Sequence, residues 1–255
     1  MRTISAITIS TFKEAVRDKV FYNLVIFSLI VLASSRILGL LSSGQEIKIV
    51  MDVGLGCISI FGLIISIFIG GNLVYKEIER GTIQTIIVKP IDRHEYIIGK
   101  YLGLLLIIFL NLIFMTIGFY VILKGISGTW NFSIIQSIFL IFVELMVISS
   151  IAIMFSTFLS PLLSILLTFC LFTMGHLSED FLFIVEKMEG SFLKFVSKII
   201  YYILPHLSNF NIKNEIVHGF SVSGDYIFSS SLYGVSYSFA TIFLAIIIFR
   251  NRNFK

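Results

Sequence analysis

Long charge-free stretches alternate along the chain with short polar segments, and the stretches have the length of membrane-crossing helices. A helix needs about 20 apolar residues to cross roughly 30 Å of hydrocarbon. Residues 53–75 and 101–123 each hold 23 residues without a formal charge, and 226–249 hold 24. A further apolar run over 20–41 is interrupted by Arg36, whose long side chain can snorkel to the interface near a helix end. It follows a 19-residue mixture of polar and apolar positions and precedes no small-residue cleavage site, so it reads as a retained span rather than a signal peptide. From 134 to 177 the chain is apolar for too long to be one helix, and Ser160-Pro161 breaks it near the middle. Spans 134–158 and 161–177, joined by a tight turn, complete a set of six.

Two segments are neither spans nor plain loops. Over 1–19, Ile4, Ile7, Thr8, Thr11, Ala15 and Val16 share one helical face while Lys13, Glu14, Arg17 and Asp18 lie elsewhere. This is the pattern of an amphipathic elbow helix lying in the interface plane. Within 178–225, residues 192–204 carry Lys194 and Lys198 one turn apart and end at Pro205. That stretch is too short and too charged to cross, which favours a re-entrant or outer-surface amphipathic helix over a seventh span. The predicted fold is an all-α membrane protein, one transmembrane domain over 1–255.

Composition removes the main alternatives. With 57% hydrophobic and 13% charged residues the chain is no water-soluble globule, and 26 Phe against 3 Pro exclude disorder. A net charge of +4 and a pI near 9.0 might suggest nucleic acid in a soluble domain. Here the cations collect at the edges of apolar runs, so they speak for orientation and against a nucleic-acid partner. With the N-terminus inside, twelve (Arg2, Lys13, Arg17, Lys19, Lys76, Arg80, Lys89, Arg93, Lys100, Arg250, Arg252, Lys255) are cytoplasmic and three (Arg36, Lys48, Lys124) lie in short outer loops. Both termini are therefore expected in the cytoplasm, in a plasma or inner membrane.

The charge density is highest over 76–100. Lys76 to Arg80 can carry the second span's helix into the cytoplasm, and Gly81 allows it to end. Residues 82–88 would form a short helix with Ile83, Ile86 and Ile87 on one face, stopped at Lys89-Pro90. Asp92 with Glu95 three residues on forms a capping-box pattern that starts the next helix. A short surface helix with an apolar face and no buried place has the character of a docking element.

This loop resembles the signature of type-two ATP-binding-cassette (ABC) exporter permeases: Glu79-Arg-Gly-Thr82, the short apolar helix, Lys89-Pro90-Ile-Asp-Arg93, then Glu95 and Gly99-Lys100. The resemblance extends over the whole chain, and Leu204-Pro-His-Leu-Ser-Asn-Phe210 is similar to the subgroup named for multicopper-enzyme maturation. It implies a permease subunit that pairs with a second copy, identical or related, and with a cytoplasmic ATPase that binds ATP-Mg. The coupling loop would engage that ATPase through Glu77, Glu79, Arg80, Gly81, Thr82, Gln84, Pro90 and Arg93. Cargo would be amphipathic or lipid-like and exported. The alternatives are a membrane factor for copper-enzyme maturation and a scaffold without transport. The chain has no Gly-x-x-x-x-Gly-Lys-Ser/Thr motif, since His94 stands where the first Gly would be. No catalytic residue, cofactor or metal is therefore expected in this chain.

Glu144 is the one formal charge deep in a span. Two readings stand: a polar point on a cargo or gating surface, or a structural carboxyl. Asn72 and Asn111 join it as candidates for a translocation path, and Gln136 could share a polar cluster with them. Asp52 reads as an interface residue. Cys57 and Cys170 sit in apolar runs without metal spacing, and core packing accounts for the scattered Met residues better than a copper path through Met174 and His176. Gly70-Gly71 and Gly99-x-x-x-Gly103 permit close helix approach, within one subunit or between two.

Overall fold

The apolar runs become helices that continue past them into the charged flanks, because a helix need not stop where the hydrocarbon does. A computed structural model of the chain describes residues 2–17, 19–40, 45–79, 92–127, 132–178, 194 and 201–251. The helices are α1 (Arg2–Arg17), α2 (Lys19–Leu40), α3 (Glu46–Leu73), α4 (Tyr75–Glu79), α5 (Arg93–Ser127), α6 (Phe132–Ser156), α7 (Pro161–His176), α8 (Lys213–Val217) and α9 (Gly224–Asn251), with a 3-10 turn at Leu207–Phe210. There is no strand among the described residues.

Among the described residues, four helical stretches are long and apolar enough to cross a membrane: Glu46–Glu77, Arg93–Ile126, Ser133–Ser156 and Gly224–Asn251. Two apolar stretches, Leu24–Ile37 within α2 and Pro161–His176, are shorter. The run read as a span over 161–177 is a 16-residue helix, about 24 Å at 1.5 Å per residue. Its start is set by Pro161 in the first turn, where the missing N–H costs nothing.

Helices α3 and α6 form the centre, and α2, α5, α7 and α9 pack around them. They run side by side in the same direction. Gly62 of α3 faces Leu145, Gly70 faces Ala152, and the Val74 N–H donates to Ser156 Oγ at 3.1 Å where both helices end. Outward-facing Phe109, Ile117 and Val121 of α5 and Phe228, Phe239 and Phe243 of α9 are exposed. So broad an apolar surface suits lipid rather than water.

Helix α1 buries Thr8, Thr11 and Ala15 and exposes Lys13, Glu14 and Arg17, the division read from the sequence. Its seat is α5. A Cβ on Gly99 would come within 2.8 Å of Ile7, and one on Gly103 within 2.7 Å of Thr11. Thr8 Oγ1 donates to the Gly99 carbonyl at 3.2 Å. The Gly99-x-x-x-Gly103 pair is thus the groove that receives α1, and Gly71 meets Ile165 of α7. Both glycine pairs make contacts inside this chain.

The segment before α9 folds back onto the bundle. Leu204, Leu207, Phe210, Ile212 and Ile216 are buried against α3, α6 and α7. Three tyrosines of α9 hold its backbone. Tyr237 Oη donates to Ile203 O at 3.1 Å, Tyr226 Oη donates to Asn209 O at 3.0 Å, and Tyr233 Oη accepts from the His206 N–H at 3.0 Å. Below it, a Cβ on Gly175 of α7 would stand 2.6 Å from the Pro205 carbonyl oxygen. Because backbone cannot swing aside, Gly175→Ala is expected to cost about 1–3 kcal/mol and lift the segment. In a chain with Cys57 and Cys170 replaced by alanine, a Leu207→Cys reporter should then react several-fold faster with a water-soluble maleimide. An unchanged rate would count against this seat. Residues 179–193 and 195–200, where the amphipathic helix over 192–204 was expected, lie outside the described residues apart from its last positions.

Candidate functional site

The loop between α4 and α5 was the sequence's strongest signal, and the described residues are its two ends. Arg80, Gly81, Thr82, Gln84 and Pro90 lie outside the described residues, as does the short helix expected over 82–88. At the first end, α4 carries Glu77 inward and Glu79 outward: Glu77 is partly buried and Glu79 exposed. At the second, α5 begins directly after Asp92, and the Tyr96 N–H donates to the Asp92 carbonyl at 3.2 Å.

The two ends are tied together. Glu77 Oε2 accepts from Tyr96 Oη at 2.5 Å, and Glu77 Oε1 is paired with the Lys100 ammonium. The Lys100 side chain is 6% exposed and that of Glu77 17%. This is a largely desolvated ion pair carrying an extra hydrogen bond. The ammonium also lies 5.7 Å from the centre of the Tyr96 ring.

The last turn of α9 joins the same cluster. Arg93 Nη1 donates to the Phe249 carbonyl at 3.2 Å and to the Arg250 carbonyl at 2.6 Å, and the Tyr96 ring stacks on Phe249 at 5.6 Å. The final carbonyls of a helix lack partners in their own helix, so a guanidinium from α5 satisfies them and complements the negative end of the helix dipole. Glu77 and Arg93, singled out as partner-contacting residues, therefore spend these charged groups on contacts inside the chain. They fix α4, which continues α3, to α5 and α9 at the base of the loop. Sequence reading gave Tyr96 no role and Lys100 only a place in the resemblance, although the two, one turn apart after the cap, share a face with Arg93.

A second polar group lies in the middle of the bundle. Glu144 is the central residue of α6, 1% exposed, and neither carboxyl oxygen has a hydrogen-bond partner among the described residues. Its Oε1 lies 3.4 Å from His176 Nε2 at the end of α7. The short α7 stops at this depth, and residues 204–217 occupy the space beyond it. They bring Lys213 on α8, whose ammonium pKa burial pushes down while the carboxylates of Glu144 and then Asp52 push it up.

Asn111 is fully buried with both amide atoms unpartnered among the described residues. Asn72 is elsewhere: its Nδ2 donates to Phe68 O of its own helix at 2.7 Å, near the loop end of α3. Since Gly62 faces Leu145, Asn72 lies ten residues along α3 from the level of Glu144, about 15 Å. Asn72 and Glu144 thus mark two depths, not one cluster. Met174 is exposed, away from the Glu144 contact made by His176.

A model of the family described as ABC-2 family transporter protein matches residues 5–248. The chain belongs to the ABC-2 transporter family. None of the curated proteins compared matches it. As an ABC-2 family membrane protein, the permease has its clearest charged constellation at the base of the loop that carries the family resemblance. Glu144 and Asn111 are buried polar groups without hydrogen-bond partners among the described residues. The first arrangement can move three helices as a body, and the second places an ionisable side chain among apolar ones.

Proposed function

We propose that this chain is the permease subunit of an ABC exporter, driven by a separate cytoplasmic ATPase that binds ATP-Mg. In this reading α2 and α7 complete six spans, α1 is the elbow helix, both termini are cytoplasmic, and a second permease copy completes the pathway. Export of an amphipathic or lipid-like cargo follows from the resemblance. Family membership supports the class, and one observation carries the mechanism. The clamp of Glu77, Tyr96, Lys100 and Arg93 joins α4, α5 and α9 where the loop leaves and re-enters the bundle.

A force applied to the loop enters α4 and α5 at once. Because the clamp leaves these ends little freedom, displacement at Glu79 reaches the central helix α3 and its neighbour α9 without being absorbed locally. Glu79 and Arg80 are assigned to ATPase contact, with Gly81, Thr82, Gln84 and Pro90 shaping the loop between. Glu77 and Arg93 position that loop. Glu144 and Asn111 line the pathway at mid-depth and Asn72 at its loop end.

Glu79→Ala combined with Arg80→Ala is expected to lower ATPase retention on affinity-purified permease by about tenfold, equivalent to roughly 1.4 kcal/mol. Membrane insertion should be unchanged, because Glu79 is exposed. Full retention together with unaltered ATP-coupled activity would remove the docking assignment.

A further inference from the structure

On the outer face of α1 lies a charged groove that the transport reading leaves unused. It is lined by Ser10, Lys13, Glu14 and Arg17 of α1 and Lys76 of α4, with a volume of about 570 Å³. Small-molecule sites commonly fall between about 300 and 1,000 Å³. The four α1 residues follow the i, i+3, i+4, i+7 spacing of one helical face. The opposite face is locked into the Gly99 and Gly103 groove of α5, so the side chains are presented from a fixed backbone. Lys76 lies on α4 just past the end of α3, which places the groove where a membrane-crossing helix leaves the hydrocarbon.

Three cations face one carboxylate there, and none of Lys13, Arg17 or Lys76 forms an ion pair among the described residues. Ile9, one turn before Lys13, is exposed beside them. Basic side chains and an exposed apolar one on a single helix surface, at membrane-surface level, match a ligand with an anionic head and an apolar tail. We propose that the groove between α1 and α4 binds the phosphate headgroup of an anionic phospholipid, with Ile9 against its acyl chain. A soluble phosphate shares the headgroup chemistry but has nothing for Ile9. The assignment is independent of the transport reading, since it needs only the membrane and the α1–α4 geometry.

The test uses full-length protein purified in detergent and titrated with phosphatidylglycerol or phosphatidylcholine, with bound lipid counted by native mass spectrometry. Wild type is expected to retain phosphatidylglycerol in preference to phosphatidylcholine. Lys13→Gln with Arg17→Gln and Lys76→Gln should lower phosphatidylglycerol retention by about tenfold or more, given the contribution of each basic residue near an anionic surface. Glu14→Gln should raise it several-fold, which keeps the proposal open to refutation if the triple variant misfolds. Millimolar glycerol phosphate should not displace the lipid. Equal retention in wild type and the triple variant overturns the proposal, as does no preference between the lipids or no response to Glu14→Gln. Displacement by glycerol phosphate would reassign the groove to a soluble anion and overturn the lipid source. Loss of ATPase copurification with lipid retention intact would reassign it to protein docking.

Discussion

Glu77→Ala is expected to destabilise the permease by about 3–5 kcal/mol, the range for removing one member of a buried ion pair. The change leaves the Lys100 ammonium without its carboxylate in a site where its side chain is 6% exposed, and it strips Tyr96 of its acceptor. The partial exposure of Glu77 pulls the expected value toward the lower end. Thermal unfolding in detergent would register the loss as a large fall in Tm. Glu77→Leu combined with Lys100→Met should recover most of it, since replacing both charges with apolar groups of similar volume is often neutral or better. The paired replacement should nonetheless leave ATP-coupled activity impaired, because an apolar contact cannot reproduce the fixed geometry at the loop base. If Glu77→Ala leaves Tm in place, the pair does not hold the helices and the proposed route from loop to α3 fails with it.

That clamp also marks where sequence reasoning stopped. Charge-free length located the long helices, because the cost of burying a charge in hydrocarbon is large and local and leaves a direct trace in the chain. The helices themselves run beyond the charge-free stretches: α3 starts at Glu46, because Glu46, Lys48 and Asp52 can sit on helical turns outside the bilayer. Periodicity gave the buried face of α1 for a similar reason, a spacing being readable within a single helix.

Pairings between elements left no such trace. Glu77 was legible as a charge in a charged loop, but its pairing with Tyr96 and Lys100 follows from the approach of α4 to α5. The same holds for Glu144. The sequence marked it as exceptional by its depth, yet His176 reaches it only because α7 is short and ends at that level. That distance could not be read from spacing. The Leu204 to Phe210 motif, noticed for its resemblance, has a physical role in the fold as the strip held by three α9 tyrosines.

Glu144 is where stability and activity are expected to part. A carboxyl at the centre of α6 with no hydrogen bond to either oxygen among the described residues bears a desolvation cost of about 1–3 kcal/mol. Glu144→Met fills nearly the same volume with an apolar side chain, so the variant is expected to be as stable as wild type or more stable by up to about that amount. His176 and Lys213 both remain partly exposed, so no fully buried charge is stranded. A structural carboxyl predicts the opposite, a drop in Tm as its contacts are lost. Groups that persist at a cost to folding are commonly those that function requires. Transport by Glu144→Met in reconstituted vesicles is accordingly expected to fall by at least about tenfold, a change of roughly 1.4 kcal/mol in the rate-limiting barrier. A variant that is stabilised and still transports at the wild-type rate would show that the buried carboxyl takes no part in moving cargo.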